Sequence, residues 1–129
     1  MKVEEVHIKD WVNLSDEMGN IAPFRVNSVQ CGDVDAENYI TVSDFFNPFY
    51  EGEFQPILIT AEILEKNGFV NDGSRWHKLD GNNFTVMCNP YYTVVRIVGN
   101  DCALTGQAEY IHQLQQALRL CGIDKEIKV

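Results

Sequence analysis

The strongest hydrophobic pattern in the chain lies near its end, from Tyr110 to Ile123. At about 100° per residue, Tyr110, Ile111, Leu114, Ala117, Leu118 and Cys121 share one arc, and His112, Gln115, Gln116 and Arg119 fall opposite. This predicts an amphipathic helix from about Gln107 that packs onto a sheet, with Leu120 outside the apolar arc. Gly122 is placed for a left-handed stop, and Arg119 complements the negative end of the helix. A second, shorter helix is predicted from Thr60 to Gly68, with Thr60 as N-cap and Glu62 and Lys66 spaced i to i+4. Ile59 and Leu64 stand where a hydrophobic staple would form, and Gly68 ends the helix.

Alternation predicts strands elsewhere. Trp11–Leu14, Phe24–Val29 and Tyr39–Val42 are short runs separated by turn signals at Gly19-Asn20 and Gly32-Asp33. Such spacing suggests a small, strongly bent sheet or barrel. Between Phe45 and Phe54, five aromatic residues are interrupted by Pro48 and Gly52, which excludes a long regular element there. Pro56–Ile59 reads as a last short strand or an extended connector. In the second half, Arg75–Leu79 and Asn83–Cys88 form a predicted hairpin. Tyr91–Val98 is a third strand, Cys102–Leu104 a possible fourth, and Glu126–Val129 an alternating edge strand. The reading is an α+β protein: a small SH3-like β-barrel over residues 1–57, then an antiparallel sheet packed against one main C-terminal helix over 58–129.

Composition narrows the function classes. At 45% hydrophobic and 22% charged residues, the 129-residue chain is expected to fold and to bury a core without extra staples. The net charge of −9 is concentrated in the first half, where eleven acids face three bases, while the second half is close to neutral. That is the reverse of what phosphate neutralisation requires, so nucleic-acid binding is disfavoured and basic or cationic partners are favoured. Binding through Arg75, Lys78 and Arg96 would need those bases on one face. The chain opens with Met1-Lys2-Val3-Glu4-Glu5, without the apolar stretch of a signal peptide, and carries no apolar run long enough for a membrane helix. A cytoplasmic protein with four reduced cysteines, Cys31, Cys88, Cys102 and Cys121, is the simplest expectation, and Cys121 falls on the apolar arc as a small hydrophobe.

The tail Tyr110-Ile111-His112-Gln113-Leu114-Gln115, followed by Ala117-Leu118-Arg119-Leu120-Cys121-Gly122-Ile123, carries a resemblance. So does the stretch Ile59-Thr60-Ala61-Glu62-Ile63-Leu64-Glu65-Lys66-Asn67-Gly68-Phe69. Over roughly residues 56–129 the chain resembles a group of small proteins from gut anaerobes and their phages, and Asp10-Trp11-Val12 extends the likeness loosely into the first half. The resemblance implies kinship with proteins of phages or mobile elements and brings no activity with it. The first half is similar in outline to SH3-like small barrels, which implies binding rather than catalysis.

Asp33, Asp35, Glu37 and Asp44 superficially track a calcium loop, but Asn38 stands where a sharp turn needs glycine, so an acidic hairpin loop is the better reading. No metal-ligand spacing, phosphate-binding glycine pattern or nucleophile signature is present, so neither a cofactor nor an enzymatic activity is expected. Two candidate binding regions remain. The first is the aromatic stretch, with Phe49 and Tyr50 expected to protrude and Glu51 and Glu53 between the rings, suited to an apolar or cationic group on a protein partner. Its competitor is a structural role in which Phe45, Phe46 and Phe54 close the barrel. The second region is the helix face of His112, Gln116 and Arg119, either a solvated surface or a small-molecule or catalytic site. A homodimer is compatible with either.

Overall fold

Strand alternation in the first 57 residues produces a barrel because one strand is long enough to serve two halves of it. The computed structural model describes residues 1–15, 18–33, 38–43, 45, 47–99 and 101–129, which divide into two units, Met1–Ile57 and Leu58–Val129. The first unit contains β1 (Trp11–Ser15), β2 (Ile21–Gln30), β3 (Tyr39–Val42), β4 (Phe49–Tyr50) and β5 (Phe54–Gln55). All neighbours are antiparallel, in the order β4-β3-β2-β1-β5. The first half of β2 pairs with β1 and the second half with β3, and a register shift lies between Val26 and Ser28. A bulge of this kind sharpens the local twist, so β2 bends from one half to the other and the sheet nearly closes on itself. The result is a nearly closed, barrel-like antiparallel sheet.

Its interior is filled by Val12, Leu14, Val26, Ile40, Val42 and Phe54, together with Val3 and Val6 from the segment ahead of β1. That segment, to which the alternation assigns no element, contains a 3-10 turn at Val3–Glu5. It is held by the Val3 N–H donating to Glu51 Oε1 at 2.9 Å, and by the buried Asp10 carboxylate accepting from the His7 N–H at 2.8 Å.

The second unit comprises α1 (Ala61–Lys66), β6 (Val70–Asn71), β7 (His77–Asp80), β8 (Phe84–Asn89), β9 (Val94–Gly99), β10 (Ala103–Gln107) and α2 (Ile111–Leu120). The strands form an antiparallel meander in the order β10-β9-β8-β7-β6. His77, Val86, Cys88, Val95 and Ile97 are the buried inward positions, whereas Lys78, Met87 and Arg96 stand in one cross-strand row on the other face. Ile111, Leu114 and Leu118 of α2 complete the buried layer against the sheet.

Thr60 caps α1 as the sequence predicts, accepting from the Ile63 N–H at 3.2 Å. Both helices end alike. Gly68 and Gly122 take positive φ of 90° and 71°, and the following N–H groups, of Phe69 and Ile123, return to the carbonyls of Leu64 and Leu118. Glycine is favoured at these two positions because a Cβ is strained in the left-handed conformation.

Several boundaries depart from the sequence pattern. Strand β9 starts at Val94, because the Asn89 side chain accepts from the N–H groups of Tyr91 and Tyr92 and turns Tyr91–Thr93 out of the ladder. Strand β10 runs on to Gln107, so α2 begins later than predicted, with Tyr110 as its N-cap. Glu109 therefore precedes the helix instead of lying in its first turn. The Gln113 side chain reaches back to accept from the N–H groups of Glu109 and Tyr110. Pro56–Ile59 is an extended connector with one bridge, Leu58 to Tyr110.

The largest correction concerns the polar side of α2 and the chain end. His112 and Gln115 are 4% and 2% exposed, so that side is buried rather than solvated. Glu126–Val129 is not a strand. The Gln115 amide donates to the Lys125 carbonyl at 3.0 Å and accepts from the Ile127 N–H at 2.7 Å. Asn67, at the end of α1, accepts from the Lys128 N–H and donates to its carbonyl, each at 2.7 Å. Two side-chain amides thus supply the donors and acceptors a neighbouring strand would have supplied, and Ile127, between Lys125 and Lys128, is fully buried.

Removing a buried amide leaves backbone groups unsatisfied, at about 1–3 kcal/mol each. Gln115→Ala and Asn67→Ala are expected to lower unfolding free energy by about that amount in urea titrations. Leu118→Ala, in the core, should cost roughly 2–5 kcal/mol, and Leu120→Ala, on the exposed side, less than about 0.5 kcal/mol.

Candidate functional site: an aromatic groove on the barrel

The antiparallel register of β1 and β2 sets Leu14 opposite Ala22 and Val12 opposite Phe24. Beyond this pair of strands, the segment leading into β4 brings Phe45, Asn47 and Phe49 to the same place. The Phe24 and Phe45 rings meet edge to face at 5.1 Å, and those of Phe45 and Phe49 at 6.0 Å. Edge-to-face contacts suit the ring quadrupoles and hold the three as a unit. They line an open groove of about 500 Å³ with Leu14 and Ala22, and Ser15, Asn20 and Asn47 add polar groups. Phe24 and Phe49 are half-buried and also pack against the barrel core, while Phe45 is 47% exposed. An apolar recess with a few polar groups on its lining can hold a bulky side chain and orient the backbone that carries it.

The sequence-predicted residues divide between this groove and other duties. Phe49 lines the groove but does not protrude, since one side of it belongs to the barrel interior. Tyr50 points the other way along β4, where its ring meets Tyr39 at 5.8 Å. Glu51 holds the Val3 N–H, and Glu53 accepts from the Tyr50 N–H at 3.3 Å, closing the β4–β5 turn. Phe54 is wholly buried in the barrel, in keeping with the structural alternative. Phe46 and most of the acidic loop, Asp35, Glu37 and Asp44 among it, lie outside the described residues. Phe24 was missed as a site residue. Alternation puts it on the same side of the strand as Val26, and no local signal joins it to Phe45, which lies far along the chain.

On α2, the three proposed residues have different surroundings. His112 is buried and stacks on Tyr110 with ring centroids 5.8 Å apart. Arg119 lies 4.0 Å from Glu126, and Gln116 is half-buried.

Arg75, Lys78 and Arg96 each have a neighbouring partner. Arg75 sits 3.6 Å above the Tyr91 ring, Arg96 lies 5.6 Å from the Trp76 ring, and Lys78 pairs with Asp80 at 3.6 Å. Among the described residues no group of three or more His, Cys, Asp and Glu side chains is placed to hold a metal ion. Among the same described residues, no helix is long and apolar enough to cross a membrane. Compared with protein-family models, curated proteins and solved structures, the chain matches none.

The division of labour in the β4–β5 region is open to measurement. Glu51→Ala should lower stability by about 1 kcal/mol through loss of its hydrogen bond to Val3, whereas Tyr50→Ala should cost less than Phe49→Ala in parallel thermal melts.

Proposed function

We propose that the protein is a noncatalytic, cytoplasmic protein-interaction module of the kind a phage or mobile element carries, and that its barrel groove takes a bulky apolar side chain from a basic peptide segment. The observation that carries this reading is the three-phenylalanine groove, set in the part of the chain where eleven acids face three bases. The rings supply apolar contact, and the net negative charge of this half of the chain raises the encounter rate with cationic segments and opposes anionic ones. Aromatic-lined grooves on small barrels recognise peptides by this combination. A catalytic or small-molecule site around His112 and Arg119 draws less support, because the neighbouring Gln115 is committed to the chain end and Arg119 faces Glu126.

Selection from a random peptide-display library tests the reading. The enriched peptides should share one bulky apolar residue flanked by Lys or Arg, and their affinity should fall as salt is raised. Phe45→Ala, which removes the most exposed of the three rings, should weaken them about tenfold or more, equivalent to about 1.4 kcal/mol. Ala22→Leu, which fills the groove from its wall, should do the same. Peptides without a bulky apolar residue, or unchanged affinity in both folded variants, would overturn the proposal.

A further inference from the structure

At one end of the second unit lies a different recess, of about 580 Å³, lined by Phe84, Ile97, Cys102, Cys121 and Ile123 among others. Two of the chain's four cysteines line it: Cys102 and Cys121 are free thiols, both half-buried. Each is carried on a fixed backbone. The Cys102 carbonyl accepts from the Gly99 N–H at 2.7 Å, which closes the turn ahead of β10. Cys121 is the C-cap of α2, its N–H donating to the Ala117 carbonyl at 3.2 Å, and Gly122 turns the chain away immediately after it. Burial first, and then its interaction with the Cys102 thiol, pushes the Cys121 thiol up to about 11. The other two cysteines have no such arrangement. Cys31 is exposed, and Cys88 is fully buried in the sheet, where burial pushes its thiol up to about 12.

We propose that Cys102 and Cys121 form a reversible disulfide, a redox-operated clasp between the start of β10 and the end of α2, reached by small disulfides through the recess that both residues line. The Cys102 thiolate attacks one sulfur of a low-molecular-weight disulfide such as oxidised glutathione, breaking that S–S bond and releasing one small thiolate. Cys121 then gives up its proton and its sulfur attacks the Cys102 sulfur, displacing the second small thiol. The two protein thiols lose two electrons, the small disulfide gains them, and the two protons end on the two small thiols. In a reducing compartment such a bond is transient and reports on redox state. Oxidation closes a loop from Cys102 to Cys121 that contains all of β10 and α2, which restricts the unfolded chain and stiffens this end of the sheet.

The test equilibrates the protein in glutathione buffers of stepped ratio, quenches with acid, alkylates the free thiols and maps the peptides by mass spectrometry. A Cys31→Ser background removes the exposed thiol and leaves the pair untouched. The expected result is an intramolecular Cys102–Cys121 cross-link that rises in one transition and is reversed by dithiothreitol. It should be accompanied by an increase in Tm of roughly 5 °C or more. In Cys102→Ser the cross-link and the Tm response should both vanish, leaving at most a glutathione adduct on Cys121. Separate glutathione adducts on both cysteines with no cross-link, or an equal Tm response in Cys102→Ser, would overturn the proposal. The mapping on protein with both thiols present decides it even if the serine variant fails to fold.

Discussion

Two buried amides hold the second unit together at a point where regular secondary structure gives out. After Gly122 the chain has left the helix and enters no strand, yet its backbone passes through the interior and Ile127 is fully buried. Buried N–H and C=O groups must find partners, and here Gln115 and Asn67 provide them from the two helices. An amide suits this role because one side chain carries both a donor and an acceptor, at the spacing a peptide group would have. The two helices are thereby tied through a common segment, although neither Asn67 nor Gln115 makes an apolar contribution of its own.

The barrel depends on a different economy. Ten residues of β2 serve both of its partner strands, and the short β4 and β5 close the ends. With strands this short, the interior is completed by side chains from outside the sheet, Val3 and Val6, and by the inner faces of Phe24 and Phe49. Those two rings are therefore shared. One side of each stabilises the fold and the other lines the groove, so the recognition surface rests on the core itself and its geometry is set by core packing.

Much of this architecture was legible in the residues, and the failures have physical causes. The β3 strand, the caps of α1 and the glycine stops of both helices follow from local chemistry, and local chemistry is what a single sequence records. The buried side of α2 was misread because periodicity treats glutamine and histidine as solvent-facing, while Gln115 is buried for the hydrogen bonds it makes to a distant segment. The same blindness produced a false edge strand at Glu126–Val129. In the aromatic stretch, composition identified the region but could not divide its residues among core, turn and groove. Phe54, Glu51 and Phe49 ended in those three places according to tertiary partners, Val3 and Phe24 among them, that lie remote in sequence.

The Asn67 amide is followed by Gly68, the sequence pair at which asparagine most readily loses ammonia by cyclising onto the next backbone nitrogen. In the folded protein that nitrogen donates to the Glu65 carbonyl, and the Asn67 side chain is held by Ile63 and Lys128, so the ring-forming approach is blocked. Each excursion to the unfolded chain releases the block, and a carboxylate formed there could no longer donate to the carbonyls of Ile63 and Lys128 on refolding. Chemical ageing at this one position therefore records how often the second unit has opened.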